Sequence, residues 1–428
     1  MQQTAVPAAR NWAGNITFSA REVARPTTVE ELRDVVAGAD RLRVLGSGHS
    51  FSTVADTDGV HVVLDAMPPE VEVDTASGVV RVAAGLRYGD VVERLHAAGR
   101  ALPTTGSLPH ICIAGAAATG THGSGDGNGT LARSVVAVEL LTPDGASRRL
   151  ARGDEDFDGA VVALGSLGVV TSLELETVPA YDMVQTVHEG LSLDALDGSD
   201  GSGDEGRVLA EVMAAGRSVS VFTTWGPDRT ASVWCKQDVG SRPLPTGWLG
   251  TRAADGPRHP VPGQPVEHCT EQLGVPGPWY ARLPHFRLEH TPSAGDELQS
   301  EWLVPRAAGP AALRAVGALA ERVREVLLVS EIRSIGADTL WLSMAEGRDS
   351  LALHFTWVGD TGRVRPVVAA LDEALAPFGA RPHWGKVFTA APEQVAALYP
   401  RMADLRRLRA ELDPRGVMGN AFTEAYLG

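Results

Sequence analysis

Two glycine-rich loops in the first third of the chain constrain its fold more than any other feature. The first is Val44-Leu45-Gly46-Ser47-Gly48-His49-Ser50, entered through Arg43. The second is Gly115-Ala116-Ala117-Ala118-Thr119-Gly120-Thr121-His122-Gly123-Ser124-Gly125. Glycines at such spacing let the backbone approach a ligand closely, and successive N–H groups in the turn form an anion-binding nest. Neither loop fits G-x-G-x-x-G or G-x-x-x-x-G-K-[ST], so the two commonest nucleotide signatures do not apply. Either loop alone reads equally well as an ordinary turn. Both together, in this order, imply a dinucleotide held between two small sheets.

The surrounding pattern alternates helix and strand. Thr28-Val29-Glu30-Glu31 is a capping box, Leu32, Val35 and Val36 supply the apolar stripe of the helix, and Gly38 ends it. Strands are predicted over 42–45, 60–64 and 79–83, and a helix over 88–98 that Gly99 stops. Strands over 135–142 and 147–151 flank the turn Pro143-Asp144-Gly145, and another over 169–178 stops at Pro179. Beyond Ala180 the composition changes. Residues 197–206 read as a Gly/Ser/Asp surface loop, and 241–278, rich in Pro and Gly, as irregular. Helices are expected over 310–326, 365–377 and 402–412.

Two later segments carry polar residues at strand spacing. Glu331 and Arg333 lie two apart, as do His354 and Thr356, so each pair leaves one face of its strand while Leu353, Phe355 and Trp357 take the other. Such a face is either solvated and bridged by a surface ion pair, or buried and matched to a polar ligand. Lys386, in an aromatic-flanked segment near the C-terminus, favours the second alternative.

The motifs G-S-G-H-S and G-x-x-x-T-G-T-H-G-S-G resemble those of vanillyl-alcohol-oxidase-type flavoproteins. Trp12-Ala13-Gly14-Asn15, the region up to Pro179, residues 274–279 and residues 381–386 are similar to the alditol oxidase branch of that superfamily. The likeness weakens only around 190–206 and 237–256. It implies an α+β fold in two domains. An FAD-binding domain of two α/β subdomains would span 1–180, with a returning segment over 381–428. A substrate-binding cap with a mixed or antiparallel sheet would span 181–380. It also implies FAD contacts from Val44, Leu45, Gly46, Ser47, Gly48, His49, Ser50, Ser107, Cys112, Gly115, Ala116, Ala117, Ala118, Thr119, Gly120, His122, Val169 and His383, with His49 as the covalent attachment point. Ser107, Glu331, Arg333, Thr356 and Lys386 match polyol-binding positions, and His354 a further active-site position.

The expected reaction is oxidation of a terminal alditol hydroxyl, with hydride passing to flavin and O₂ becoming H₂O₂. Lys386, Arg333 and His354 are its candidate catalytic residues. Arg333 and Lys386 suit stabilisation of developing negative charge, and His354 suits proton acceptance. Which of the three dominates stays open. An aldonolactone oxidase or dehydrogenase on the same fold, and a flavin- or sugar-binding protein without turnover, are the alternatives. Gly106, where related enzymes carry a larger residue, either opens room beside the flavin or relaxes a tight turn.

Composition narrows the partners. Lys+Arg 38 against Asp+Glu 53 gives a net charge of −15, which argues against nucleic acid and anionic membrane surfaces. No apolar run reaches membrane-spanning length, and residues 1–7 do not read as a signal peptide. Cys112, Cys235 and Cys269 are too scattered for a metal site or a disulfide framework. No metal is expected, and the reading is of a cytoplasmic monomer.

Overall fold

Thr28 starts the first helix, Val29–Gly38, by accepting a hydrogen bond from the Glu31 backbone N–H at 3.1 Å, and Leu32 and Val36 are buried beneath it. The reciprocal arm lands one residue early: the Glu31 carboxylate accepts from the backbone N–H and hydroxyl of Thr27, at 2.7 and 2.8 Å. The helix delivers the chain to the strand Leu42–Val44, and the first glycine-rich loop leaves the carboxyl end of that strand. This is a computed structural model describing residues 9–201, 203, 206–289 and 297–428. The expectation for residues 1–7 and part of that for the 197–206 loop lie outside the described residues.

Two small sheets surround the loops. Glu22–Ala24, Val60–Val62 and Leu42–Val44 form a parallel sheet with Val60–Val62 in the middle. Val71–Asp74, Val79–Ala83, Val169–Glu176, Val135–Leu141 and Ser147–Ala151 form an antiparallel one in that spatial order. Arg43 is buried behind the first loop, and its guanidinium donates to the carbonyls of Val54, Leu164, Gly165 and Met418. One side chain thereby ties the loop's root to three distant segments, because arginine offers five donors in a fixed fork.

The larger sheet is antiparallel throughout. Its order is Arg252–Ala253, Asp182–Ser192, Thr230–Asp238, Ser218–Thr223, Leu327–Ile335, Ser350–Val358, Glu297–Pro305 and Arg381–Pro382. Leu351, Leu353, Phe355 and Trp357 pack away from the small sheets, in one apolar cluster with residues of the helices Arg207–Met213, Gly309–Ala318 and Thr361–Leu375. The polar residues between them in sequence take the opposite face, as strand alternation requires.

Two helices differ from expectation. The stretch expected over 310–326 breaks at Leu319 into Gly309–Ala318 and Ala320–Arg324, and Val323 and Val326 join the same apolar cluster as the first piece. The helix expected from Arg365 begins earlier, at Thr361, because Asp360 caps it by accepting from Arg363 N–H at 3.1 Å; Pro366 lies inside the helix rather than at its start. Among the described residues, no helix is long and apolar enough to cross a membrane.

Candidate active site

Both glycine-rich loops open onto one cavity of about 770 Å³. Residues 44–50 all line it, as do Ser107, Cys112, Gly115, Ala116, Ala118, Thr119, His122 and His383. A Cβ on Gly46 would lie 3.0 Å from the Cys112 Cβ, and Gly48 has φ +69°, so the loop's tight path needs both glycines. Ser47 ties the cradles together: its hydroxyl accepts from the Cys112 backbone N–H at 3.1 Å. His49 stacks on Trp12 with ring centroids 5.1 Å apart, and its Nδ1 is buried without a hydrogen-bond partner. Burial lowers its pKa to about 4, leaving the ring neutral.

Three expected cofactor contacts lie off the cavity wall. Ala117 packs into the apolar core on the inward side of the helix Ile113–Ala118. Gly120 turns the chain out of that helix with φ +68°, and its open side faces Met344. Val169 is buried in another apolar cluster, and its neighbour Val170 lines the cavity instead. In a strand, a displacement of one residue changes the face. Gly106 lines the cavity too. A Cβ there would make only ordinary contacts, the nearest 3.6 Å from Ile111 Cδ1, and its φ is not positive, so the turn itself does not require glycine.

The polar wall follows from strand register. Glu331 pairs with His354, and His354 with Glu301, so the three stand in one row across adjacent strands. Thr356 lies in the next row, opposite Gln299. The edge strand Arg381–Pro382 pairs beside Leu303 and Trp302, and His383 N–H then donates to the Glu301 carbonyl at 2.9 Å. That pairing carries Lys386 over the row, where its ammonium nitrogen lies 2.7 Å from Glu301 Oε2 and 2.7 Å from His354 Nδ1. Arg333 donates to the other Glu301 oxygen, and His354 Nε2 meets the Thr356 hydroxyl at 3.2 Å. His285 Nε2 meets Glu331 Oε1 at 2.9 Å, and Arg333 Nε lies 3.6 Å from Glu331 Oε2.

These groups are almost wholly removed from water, so each must be matched by another. Burial raises the Glu301 pKa, but Lys386, Arg333 and His122 outweigh it and hold the carboxyl well below its usual range. Against the same penalty, Arg333 and His285 hold Glu331 ionised. Burial lowers Lys386 from its ordinary value, with Glu301 opposing the shift, and lowers His354 to about 4. The solvated surface pair is therefore not what Glu331 and Arg333 form.

Glu301 was not singled out from the sequence, although it holds the cluster together. The signal was present: Glu297, Gln299 and Glu301 recur at strand spacing, with Leu298, Ser300 and Trp302 on the other face and Leu303-Val304 following. His285 was missed because it sits in the irregular stretch after Trp279, where no periodicity marks a face. His122, expected as a cofactor contact, also faces the polar row, its Nε2 lying 3.4 Å from Glu301 Oε2. The ligand atoms of His122, Glu301 and His383 lie within 4.8 Å of one another. A cation there would compete with Arg333 and Lys386, which already engage both Glu301 oxygens.

Comparison with known proteins extends the picture. The family described as "FAD binding domain" matches residues 20–151, and "D-arabinono-1,4-lactone oxidase" matches 296–426. An alditol oxidase from Streptomyces sp. is 50% identical over 423 residues, covering 98% of this chain and 99% of that protein. L-gulono-1,4-lactone dehydrogenase of Mycobacterium tuberculosis is 28% identical, covering 98% of both chains. Among solved structures, cholesterol oxidase from B. sterolicum superposes with TM-score 0.78 at 16% identity, covering 98% of this chain and 96% of that one. The glucooligosaccharide oxidase of Acremonium strictum gives 0.72 at 14% identity, covering 96% and 92%. The two structures share the fold.

Proposed function

The chain belongs to the FAD-dependent oxidoreductase family that includes the Streptomyces alditol oxidase, and from that premise we propose that it oxidises a terminal hydroxyl of an alditol such as xylitol or sorbitol to the aldose, with O₂ reduced to H₂O₂. The observation that carries this reading is the buried row Glu331–His354–Glu301, crossed by Lys386 and Arg333, in the same cavity as both glycine-rich loops. A polyol is uncharged and rich in hydroxyls, and a wall of ionised acceptors and fixed donors matches it while rejecting analogues that leave those groups unpaired.

The cradle fits FAD. Gly46 lets the first loop close against Cys112, Gly48 turns it with a positive φ, and Ser47 locks the two loops together through the Cys112 backbone N–H. FAD, when bound, supplies the hydride acceptor. In this proposal, residues 1–180 and 381–428 hold it, residues 181–380 supply most substrate contacts, and His49 is the covalent link. The unpartnered Nδ1 of a neutral His49 supports that role. Acid precipitation of the wild-type holoprotein is expected to carry the yellow colour into the pellet, and that of His49→Ala to release it to the supernatant; released colour from the wild type would refute the link.

Glu331, Arg333, Thr356 and Ser107 bind and orient the substrate in this reading, and Lys386 and His354 handle its proton. Their hydrogen bonds restrict how. A charged Lys386 donates to His354 Nδ1, which places the ring proton on Nε2 and leaves the histidine unable to accept another there. With Lys386 as a neutral amine, Nδ1–H donates to Nζ, one amine hydrogen stays on Glu301, and Nε2 offers a lone pair. The proton-accepting form is therefore the one with neutral Lys386, which burial favours and Glu301 opposes. The buried, disulfide-free Cys112, Cys235 and Cys269 support a reducing compartment.

Initial rates of peroxide formation with xylitol, sorbitol, L-gulono-1,4-lactone and D-arabinono-1,4-lactone test the reading. Alditols are expected to turn over faster than lactones. Faster lactone turnover would move the assignment to the lactone branch, and turnover only with an added electron acceptor would make the enzyme a dehydrogenase.

A further inference from the structure

Behind the polar wall lies a lysine that the proposed reaction does not use. Lys236, in the strand Thr230–Asp238, has 0% exposure, and among the described residues no carboxylate lies within ion-pair distance of it. Its Nζ donates to the Leu283 carbonyl, to the Pro284 carbonyl at 3.1 Å, and meets His285 Nδ1 at 3.2 Å. An ammonium has three hydrogens, and three acceptors stand around it. Two of those acceptors are backbone atoms of the segment carrying His285, so the lysine fixes both the place of that segment and the state of its ring.

We propose that Lys236 is a positioning residue for Glu331, acting through His285 to keep that carboxylate ionised and aimed at a substrate hydroxyl. The proposal rests on the polyol reading above. With Nδ1 accepting from Lys236, the proton of a neutral His285 sits on Nε2, and Nε2–H donates to Glu331 Oε1 at 2.9 Å. His285 is neutral because burial, and then the charge of Lys236, lower its pKa to about 4. Glu331 is thus supplied with a donor on one oxygen and keeps acceptor capacity for a ligand. The aromatic rings of Phe222 and Trp234 pack edge-on against His285, at 5.4 and 5.6 Å, and hold the imidazole in this plane. The charges also point this way. Burial lowers the Lys236 pKa to about 7, with Glu331 opposing the shift, and its ammonium form adds a positive charge on the side of Glu331.

Lys236→Met in the holoenzyme removes the donors and keeps much of the bulk. Two measurements read it. The first is the xylitol dependence of anaerobic flavin bleaching. The half-saturating concentration is expected to rise about tenfold or more, the scale of a hydrogen bond to a charged group, with little change in the limiting rate. The second needs no substrate: beyond the exposed carboxyls that protonate in every variant, infrared difference spectra on acidification should show one additional buried-carboxyl band in Lys236→Met, absent in wild type and in Lys236→Met/Glu331→Gln. The charged and titratable groups that act on Glu331 are Arg333, His285, His354, Lys386 and Lys236 itself; Lys236→Met removes the last and disturbs His285, its direct partner. His285→Gln, which keeps an N–H for Glu331, should recover most affinity relative to His285→Leu, and this pair replaces Lys236→Met if that variant does not fold. Unchanged half-saturation with no new carboxyl band would overturn the proposal. If no alditol bleaches the wild type, the polyol reading fails instead, and the infrared result still decides the role of Lys236.

Discussion

Replacing Glu301 by glutamine is expected to destabilise the protein by about 3–5 kcal/mol, the usual consequence of removing one partner from a buried charge cluster. Lys386 loses its only carboxylate within hydrogen-bond distance among the described residues, while Arg333 retains Glu331. Chemical denaturation of the holoenzyme measures the loss. A second consequence follows in the opposite sense. Glu301 raises the Lys386 pKa against the lowering effect of burial, so its removal lets that pKa fall further. The neutral amine then forms at lower pH, and the rising limb of the pH–rate profile should move down. A variant as stable as wild type with an unmoved limb would remove Glu301 from the centre of the account.

Lys386→Met should slow anaerobic flavin reduction by xylitol about 10²–10⁴-fold, the range general acid–base groups contribute. In wild type the active form carries neutral Lys386. The rate should therefore rise with pH towards a plateau, with its midpoint below the ordinary lysine value of 10.5 because burial disfavours the ammonium. The methionine variant should lack this limb. If Lys386→Met reduces flavin at the wild-type rate, His354 does not need the amine. If the wild-type rate falls with rising pH, the charged lysine is the working form and the role assigned to His354 is wrong.

Legibility in the sequence tracked how local each feature is. The two loops, the Thr28 cap and the face shared by Glu331, Arg333, His354 and Thr356 depend on spacing alone, and the structure has them where spacing put them. What joins them depends on register between strands distant in sequence. That Glu301 stands beside His354, and that Lys386 arrives over both, is decided by antiparallel pairing and by a two-residue edge strand, which no periodicity announces. The same limit separates Val170, on the wall, from Val169, in the core. Lys236 escaped notice because a lone lysine in an apolar strand looks like a surface residue until the opposing His285 segment is seen to cover it.

The most direct test is to mix the purified yellow protein with xylitol under argon, follow the visible flavin band, and then admit air. The account predicts bleaching, then recovery of the band with peroxide formed in proportion to the xylitol oxidised. A band that no alditol bleaches, in a protein that an aldonolactone reduces, would contradict it.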